Sequence, residues 1–426
     1  MMLDRIQAMV TELTSSNSTT VKIATLRKFG DLREFIQLIW DPQQTTGVTR
    51  KKVDLCKIPP KHREYPTDIL ELLRGLYTRR FSGNEAQYAI VSMLLGNPDH
   101  GDLILRIIDK NLKARITHKN VNRAFPGLIP DFSVSLGKDK SKAEAYFRQD
   151  PGSWYISRKF DGVRCIVRVD GANTACFSRA GNALPAMRDL AQLAGSVFPA
   201  GTVLDGEVCE VDENNHESFQ GAVSKIKRKH DVFHNFRFYV FDYLTVAEFD
   251  AHTSTRTFFE RYEDLGTVSY QDQRIQVVPQ TLYTDEMFAT MNDAVAAQGW
   301  EGLILRRDIS YKGTRSNDIL KHKKFFTEDY VVTGVESSTM RIINEKTGLE
   351  VEEFMTKSVT ILHKGEVVHV GSGFDQNQRR HFYNTPESII GKTIEVQYFE
   401  ECHDHNGKVS LRFPTMKQIY SKKRKL

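Results

Sequence analysis

The sequence predicts a multidomain α+β protein with an all-α N-terminal lobe, a mixed α+β centre and a C-terminal β-barrel of the OB type. Three observations carry this. Apolar residues recur at helical spacing ahead of position 148, and the period shortens to that of strands after the polar, lysine-rich stretch 137–142. The segment from 327 onward then holds short strands with one helical stretch, as a small five-stranded barrel requires. The expected modules are 1–148, 149–326 and 327–426, the last ending in a basic tail. A chain of 426 residues has room for this division and for a sizeable core.

The opening segment, MMLDRIQAMVTEL, is amphipathic and contains acids, so it predicts a first helix and no secretory signal. Leu32, Phe35, Ile36, Ile39 and Trp40 form one apolar stripe. A helix Ile69–Tyr77 follows Pro66-Thr67-Asp68, and another lies between Ser82-Gly83-Asn84 and Gly96-Asn97-Pro98 with Ala86, Ala89, Ile90, Met93 and Leu94 inward. A further helix is expected over Leu103–Leu112. Residues 1–150 hold 24 lysines and arginines against 17 acids, while the whole chain carries +5. A basic lobe on a near-neutral body suits a polyanion, nucleic acid above all, although such surfaces are often merely solvated.

Strands are expected at Val163–Val169, Val203–Cys209, Arg237–Tyr243 and Gly302–Arg306. After a loop at Phe325–Asp329 come Val331–Val335, Val359–His363, Val367–Val370 and Thr393–Phe399, with a hairpin turn at Lys364-Gly365-Glu366 and a helix over Asp375–Tyr383. No run of 18 apolar residues exists, which excludes a membrane-spanning helix. Five scattered cysteines without a C-x-x-C argue against structural zinc or a disulfide framework, and for the cytosol.

The chemistry concentrates in a few short motifs. In Lys159-Phe160-Asp161-Gly162-Val163-Arg164 a tight turn sets a lysine and an arginine at the mouth of a strand. The reading is either a nucleophilic amine aimed at phosphorus or a solvated hairpin. Alternation puts Asp205 and Glu207 on one face of their strand, and Glu301 opens another. Carboxylates in a phosphate-seeking pocket are costly unless they ligate a cation, for which Mg²⁺ is the usual choice; otherwise each pairs with a cross-strand lysine. Lys321 and Lys323 share a face, and with no carboxylate between them they call for an anion, unless they guard an exposed sheet edge. Phe238–Tyr243 reads as a stacking face for a base or as plain core. Ser178-Arg179-Ala180-Gly181 is a turn with arginine at its tip, and Lys225–Lys229 is a basic run.

Taken in order, KFDGVR, SRAG, LDGEV, FYVFDY, EGLIL and LKHK resemble the motifs of ATP-dependent DNA ligases, in the covalent nucleotidyltransferase superfamily. RRFSGNEAQYAI and VNRAFPGLIP resemble the DNA-binding domain of the T-even phage type, and VVHVGSGF resembles the OB domain. The resemblance implies an all-α DNA-binding domain, an α+β nucleotidyltransferase (ATP-grasp-like ligase) domain and a β-barrel OB-fold. It implies that Lys159 takes AMP from ATP as a phosphoramidate, and that Arg164 and Arg179 bind ribose and phosphate. Glu207 would serve the ribose or a metal, Glu301 the Mg²⁺, Phe241 the adenine face, and Lys321 and Lys323 the α-phosphate. AMP would pass to the 5′-phosphate of nicked double-stranded DNA, and the 3′-OH would then displace it. Arg412, Lys417 and Lys423 are the candidates for orienting pyrophosphate, because Leu411–Tyr420 matches the final family motif loosely. Ser157 stands where many relatives carry an acid near the base. A monomer is implied. The alternatives are an RNA ligase or mRNA capping guanylyltransferase of the same superfamily, or a non-catalytic DNA-binding scaffold.

Overall fold

The computed structural model describes residues 2–60, 62–212, 217–226, 228, 231–267, 272–403 and 407–420. The chain divides into two compact units. The first comprises Met1–Asp131, Asp329–Val396 and Pro414–Leu426, and the second Phe132–Glu328 and Gln397–Phe413.

In the first unit the N-terminal part is helical as its periodicity predicts. Helices run Met2–Thr14, Thr19–Lys28, Arg33–Trp40, Ile69–Tyr77, Gly83–Gly96, Gly101–Ile108 and His118–Ala124. Asp68 caps the Ile69 helix by accepting from the amides of Leu70 and Glu71. The apolar stripe buries Leu32, Phe35, Ile36 and Ile39, and Leu72, Ile90 and Ile104 join the same core. The helix expected over Leu103–Leu112 begins at Gly101 and ends at Ile108, where Lys110 takes a left-handed backbone. That lysine stitches the lobe: its Nζ donates to the carbonyls of Leu38, Asp41 and Gln44 at 3.2, 2.6 and 2.9 Å.

The OB-like part is a five-stranded sheet in the order Glu366–Val370, Glu350–His363, Phe326–Ile343, Thr393–Tyr398, Thr415–Ile419. Among the described residues it is not the closed barrel that was expected. One isolated bridge, Ser372 with Thr415, joins the chain just past one edge strand to the other edge. The hairpin turn is as expected, with Lys364 and Gly365 both at positive φ between the paired His363 and Glu366, which is the two-residue turn that matches strand twist. The predicted loop at Phe325–Asp329 is instead strand from Phe326 onward. Its start gave no alternation to read, because Phe326, Thr327 and Glu328 are all exposed and burial begins only at Tyr330 and Val332.

The second unit contains two larger sheets, besides a two-stranded ribbon of Glu401–His403 with Val409–Leu411. One runs in the order Leu136–Asp139, Arg315–Lys323, Gly302–Arg307, Trp154–Lys159, Thr281–Leu282. The other runs Ala175–Ser178, Val163–Val169, Thr202–Val211, Phe236–Thr245, Ile275–Val277, with Glu217–Ser218 paired to Thr202–Val211. Cys165, Val167, Leu204, Val208, Phe238 and Val240 alternate inward to one core. Trp154, Ile156, Leu303, Leu305 and Leu320 form the core of the first sheet. The chain crosses between sheets at Phe160-Asp161-Gly162, so the most informative motif of the sequence is the junction itself. No helix among the described residues is long and apolar enough to cross a membrane.

Candidate active site

Pairing register builds the site. Gly302 is paired with Lys159 on one side and with Lys323 on the other, so two lysines flank one glycine across three strands. Glu301, one residue earlier, reaches both: Lys159 Nζ donates to its Oε2, and Lys323 Nζ lies 2.6 Å from its Oε1. The expectation that these lysines lack a carboxylate therefore fails for Lys323, which pairs with Glu301 just ahead of the neighbouring strand. The strand Arg315–Lys323 is interior to its sheet, which removes the reading of an edge guarded by lysines.

Two residues back, Ser157, Ile304 and Lys321 form the next row. They face a cavity of about 510 Å³ together with Lys159, Arg164, Arg179, Glu207 and Phe241. Six of the residues singled out in the sequence are thus gathered in one concavity, with Glu301 and Lys323 tied to it through Lys159. Its volume lies in the range of small-ligand sites.

Electrostatics within the cavity are uneven. Burial pushes the Glu207 carboxyl up to about 7, against the pull of Arg164 and Lys159 and with the push of Glu301 and Asp205. Burial, then the cations Lys159, Arg315, Arg164 and Lys323, lowers Lys321 to about 8. Asp205, placed on the face of Glu207 by alternation, takes Arg164 from the neighbouring strand in a two-pronged ion pair, with Nη2 to Oδ2 at 2.6 Å.

Gly162 is required, for a reason beyond a ligand's approach. A Cβ there would stand 2.4 Å from the carbonyl oxygen of Val208. Phe241 owes its position to a bulge: Asp205 opposes Asp242 and Gly206 opposes Val240, leaving Phe241 as the extra residue. Its ring centre lies 4.5 Å from the Arg164 guanidinium and 4.3 Å from that of Arg306. Arg306 itself was not anticipated. Its signal was present in the alternation of EGLILRR, in which Leu303 and Leu305 go to the core and Ile304 and Arg306 to the cavity.

The C-terminal candidates scatter. Arg412, on the Gln397–Phe413 segment of the same unit, forks onto Asp161, with Nη2 to Oδ1 at 3.0 Å, and also reaches Glu400 at 2.7 Å. These partners raise its pKa, Asp161 first. Lys417 is exposed and belongs to the other compact unit. Lys423 and the basic tail lie outside the described residues, as do Lys227 and Lys229 of the other basic run.

The family model described as "ATP dependent DNA ligase domain" matches residues 136–323, which span both sheets and the lysine junction. A second, "DNA ligase OB-like domain", matches 350–419. Residues 136–323 and 350–419 are thus similar to the domains of ATP-dependent DNA ligases. It is 30% identical over 232 residues to DNA ligase 2 of Haloquadratum walsbyi, covering 50% of this chain and 37% of that protein. It is 31% identical over 192 residues to the DNA ligase of Archaeoglobus fulgidus, covering 42% and 34%. The matched region thus spans about a third of the length of these two relatives. With the DNA ligase of Enterobacteria phage T4 the identity is 22% over 320 residues, covering 63% of this chain and 64% of that one. The solved structure named "Pmar-Lig_Pre." shares the fold across 98% of this chain and 99% of its own, with a TM-score of 0.80 at 22% identity. The multidomain α+β architecture is therefore that of this solved chain.

Proposed function

We propose that this chain is an ATP-dependent DNA ligase that seals nicks in duplex DNA through a lysyl-AMP intermediate. One observation carries the reading: Lys159 sits at the junction of two sheets, in a cavity rich in phosphate-seeking cations, with its Nζ held by Glu301. The proposed modules are the basic helical lobe 1–148 for DNA, the nucleotidyltransferase domain 149–326 and the OB-like domain 327–426.

In the first step Lys159 Nζ, having given its proton to Glu301 Oε2, attacks the α-phosphorus of ATP. A P–N bond forms as the P–O bond to pyrophosphate breaks. Lys321 and Lys323 bear on the α-phosphate, and Arg164 and Arg179 on the ribose and phosphates. Phe241 offers a ring to the adenine. Arg412, paired with Asp161 two residues past Lys159, would orient the pyrophosphate. AMP then passes to the 5′-phosphate at a nick, and the 3′-OH displaces it to form the phosphodiester. Such transfers depend on alignment and charge neutralisation.

The oxygen donors fit Mg²⁺, which favours one or two carboxylates plus substrate phosphates over an all-protein cage. Glu207 would hold it, with Glu301 joining in its ionised form once the lysine proton has left, and when bound it would neutralise charge on the phosphates. The buried Glu207, uncomfortable as an anion in the apoprotein, gains a partner thereby.

The test is incubation with Mg²⁺ and radiolabelled ATP, followed by nicked DNA. Label should attach covalently to Lys159 and leave with the DNA. A label taken only from GTP would favour a capping enzyme, and one delivered only to RNA nicks an RNA ligase.

A further inference from the structure

Far along the chain from the lysine motif, the helical lobe contains a polar cavity of about 130 Å³ lined by Asn17, Thr19, Lys22, Arg115 and Asn120. Two of the five are cations and none is a carboxylate. Lys22 is buried, with 4% of its surface exposed. Among the described residues its ammonium makes one hydrogen bond, to the carbonyl of Ala114 at 2.6 Å. Burial and the neighbouring Arg115 both work against its charge, and no acid compensates it. A buried ammonium facing a second cation and a single neutral acceptor is an incomplete arrangement that an anion completes.

The donors at the rim already seek oxygen. Arg115 Nη1 donates to the carbonyl of Gly348 at 2.6 Å, and Asn17 Nδ2 to that of Thr347, both on the hairpin turn that joins two strands of the OB-like sheet. The volume equals the share of about four waters, enough for one tetrahedral oxyanion and not for a nucleoside.

We propose that this cavity is an anion site that takes one phosphate group, supplied by the backbone of a bound DNA strand. The choice of DNA as the source rests on the ligase reading above, whereas the phosphate chemistry does not. Lys22 and Arg115 neutralise the group, and Asn17 and Thr19 hydrogen-bond its oxygens. The site fixes the position of the duplex without reading its sequence.

The test uses the full chain, with Lys22→Met and, because Arg115 is exposed and its loss leaves the core intact, Arg115→Ala. Binding of nicked duplex is measured by fluorescence anisotropy across a salt series, and stabilisation by inorganic phosphate is measured by thermal shift. Each variant should bind duplex about tenfold more weakly at low salt, its log–log salt slope should fall by about 1, and phosphate should stabilise it less than wild type. Loss of phosphate stabilisation with an unchanged duplex slope would assign the cavity to free phosphate and overturn the backbone source. No change in either readout would overturn the site. Wild-type protein that takes no label from ATP but shows both effects would fail the ligase reading and leave the anion site standing.

Discussion

Asp205 clamps Arg164. The carboxylate is buried, with 1% of its side chain exposed, and both of its oxygens accept from the arginine that follows Val163 in the nucleophile motif. Arg164 is therefore held in a fixed position in the cavity wall. Breaking one side of a buried pair costs about 3–5 kcal/mol, because the remaining charge loses its partner. Asp205→Ala should lower the urea midpoint accordingly, with an unchanged m-value. A midpoint within error of wild type would show that the pair does not hold the strand.

Glu301 divides its two oxygens between Lys159 and Lys323. Glu301→Gln keeps the shape but removes the acceptor for the lysine proton and the charge between the ammoniums. Covalent labelling by ATP should slow by about 10²–10⁴-fold. Single-turnover measurement of label formation decides this, and a rate near wild type would remove Glu301 from the proton path.

Lys321 gives a pH signature. Folding lowers its pKa from 10.5 to about 8, so between these values the unfolded chain holds a proton that the folded chain has released. The native apoprotein therefore bears a penalty from this group at pH 7 that fades as pH rises through 8 towards 10.5. Lys321→Met should stabilise the apoprotein at pH 7 and lose that advantage by pH 10.5, as read from melts of both proteins at the two pH values. A gap between the proteins that grows with pH would reverse the sign and refute the burial argument.

Gly162 is expected to tolerate no side chain. In Gly162→Ala the new methyl would meet the Val208 carbonyl at 2.4 Å, an overpacking against backbone that costs about 1–3 kcal/mol. The strain falls at the junction that carries Lys159, so labelling by ATP should drop along with thermal stability. Full labelling in a destabilised variant would separate the turn from the chemistry.

Much was legible in advance wherever one residue's environment is set by its immediate neighbours. Asp68 announced the helix it caps, Lys364-Gly365 announced a turn that needs positive φ, and the period of Val163–Val169 gave its strand and its buried face. Lys159 at its turn and Glu207 on its strand were singled out from spacing and charge, and both line the one cavity. Arg306 and the start of the strand at Phe326 were harder to see, since a cavity-facing arginine and a run exposed from 326 to 328 break the pattern of apolar alternation.

By itself the sequence determined the order of the modules, the family motifs and which side chains share a face, because spacing along a helix or strand is a local property of the backbone. Tertiary structure alone decided which strand lies beside which. Register across the sheet set Glu301 between two lysines more than twenty residues to either side, pulled Asp205 onto Arg164 and turned Phe241 inward at a bulge. Such pairings depend on where distant segments meet, and that is settled by packing the two cores, not by any residue's own neighbours in the chain.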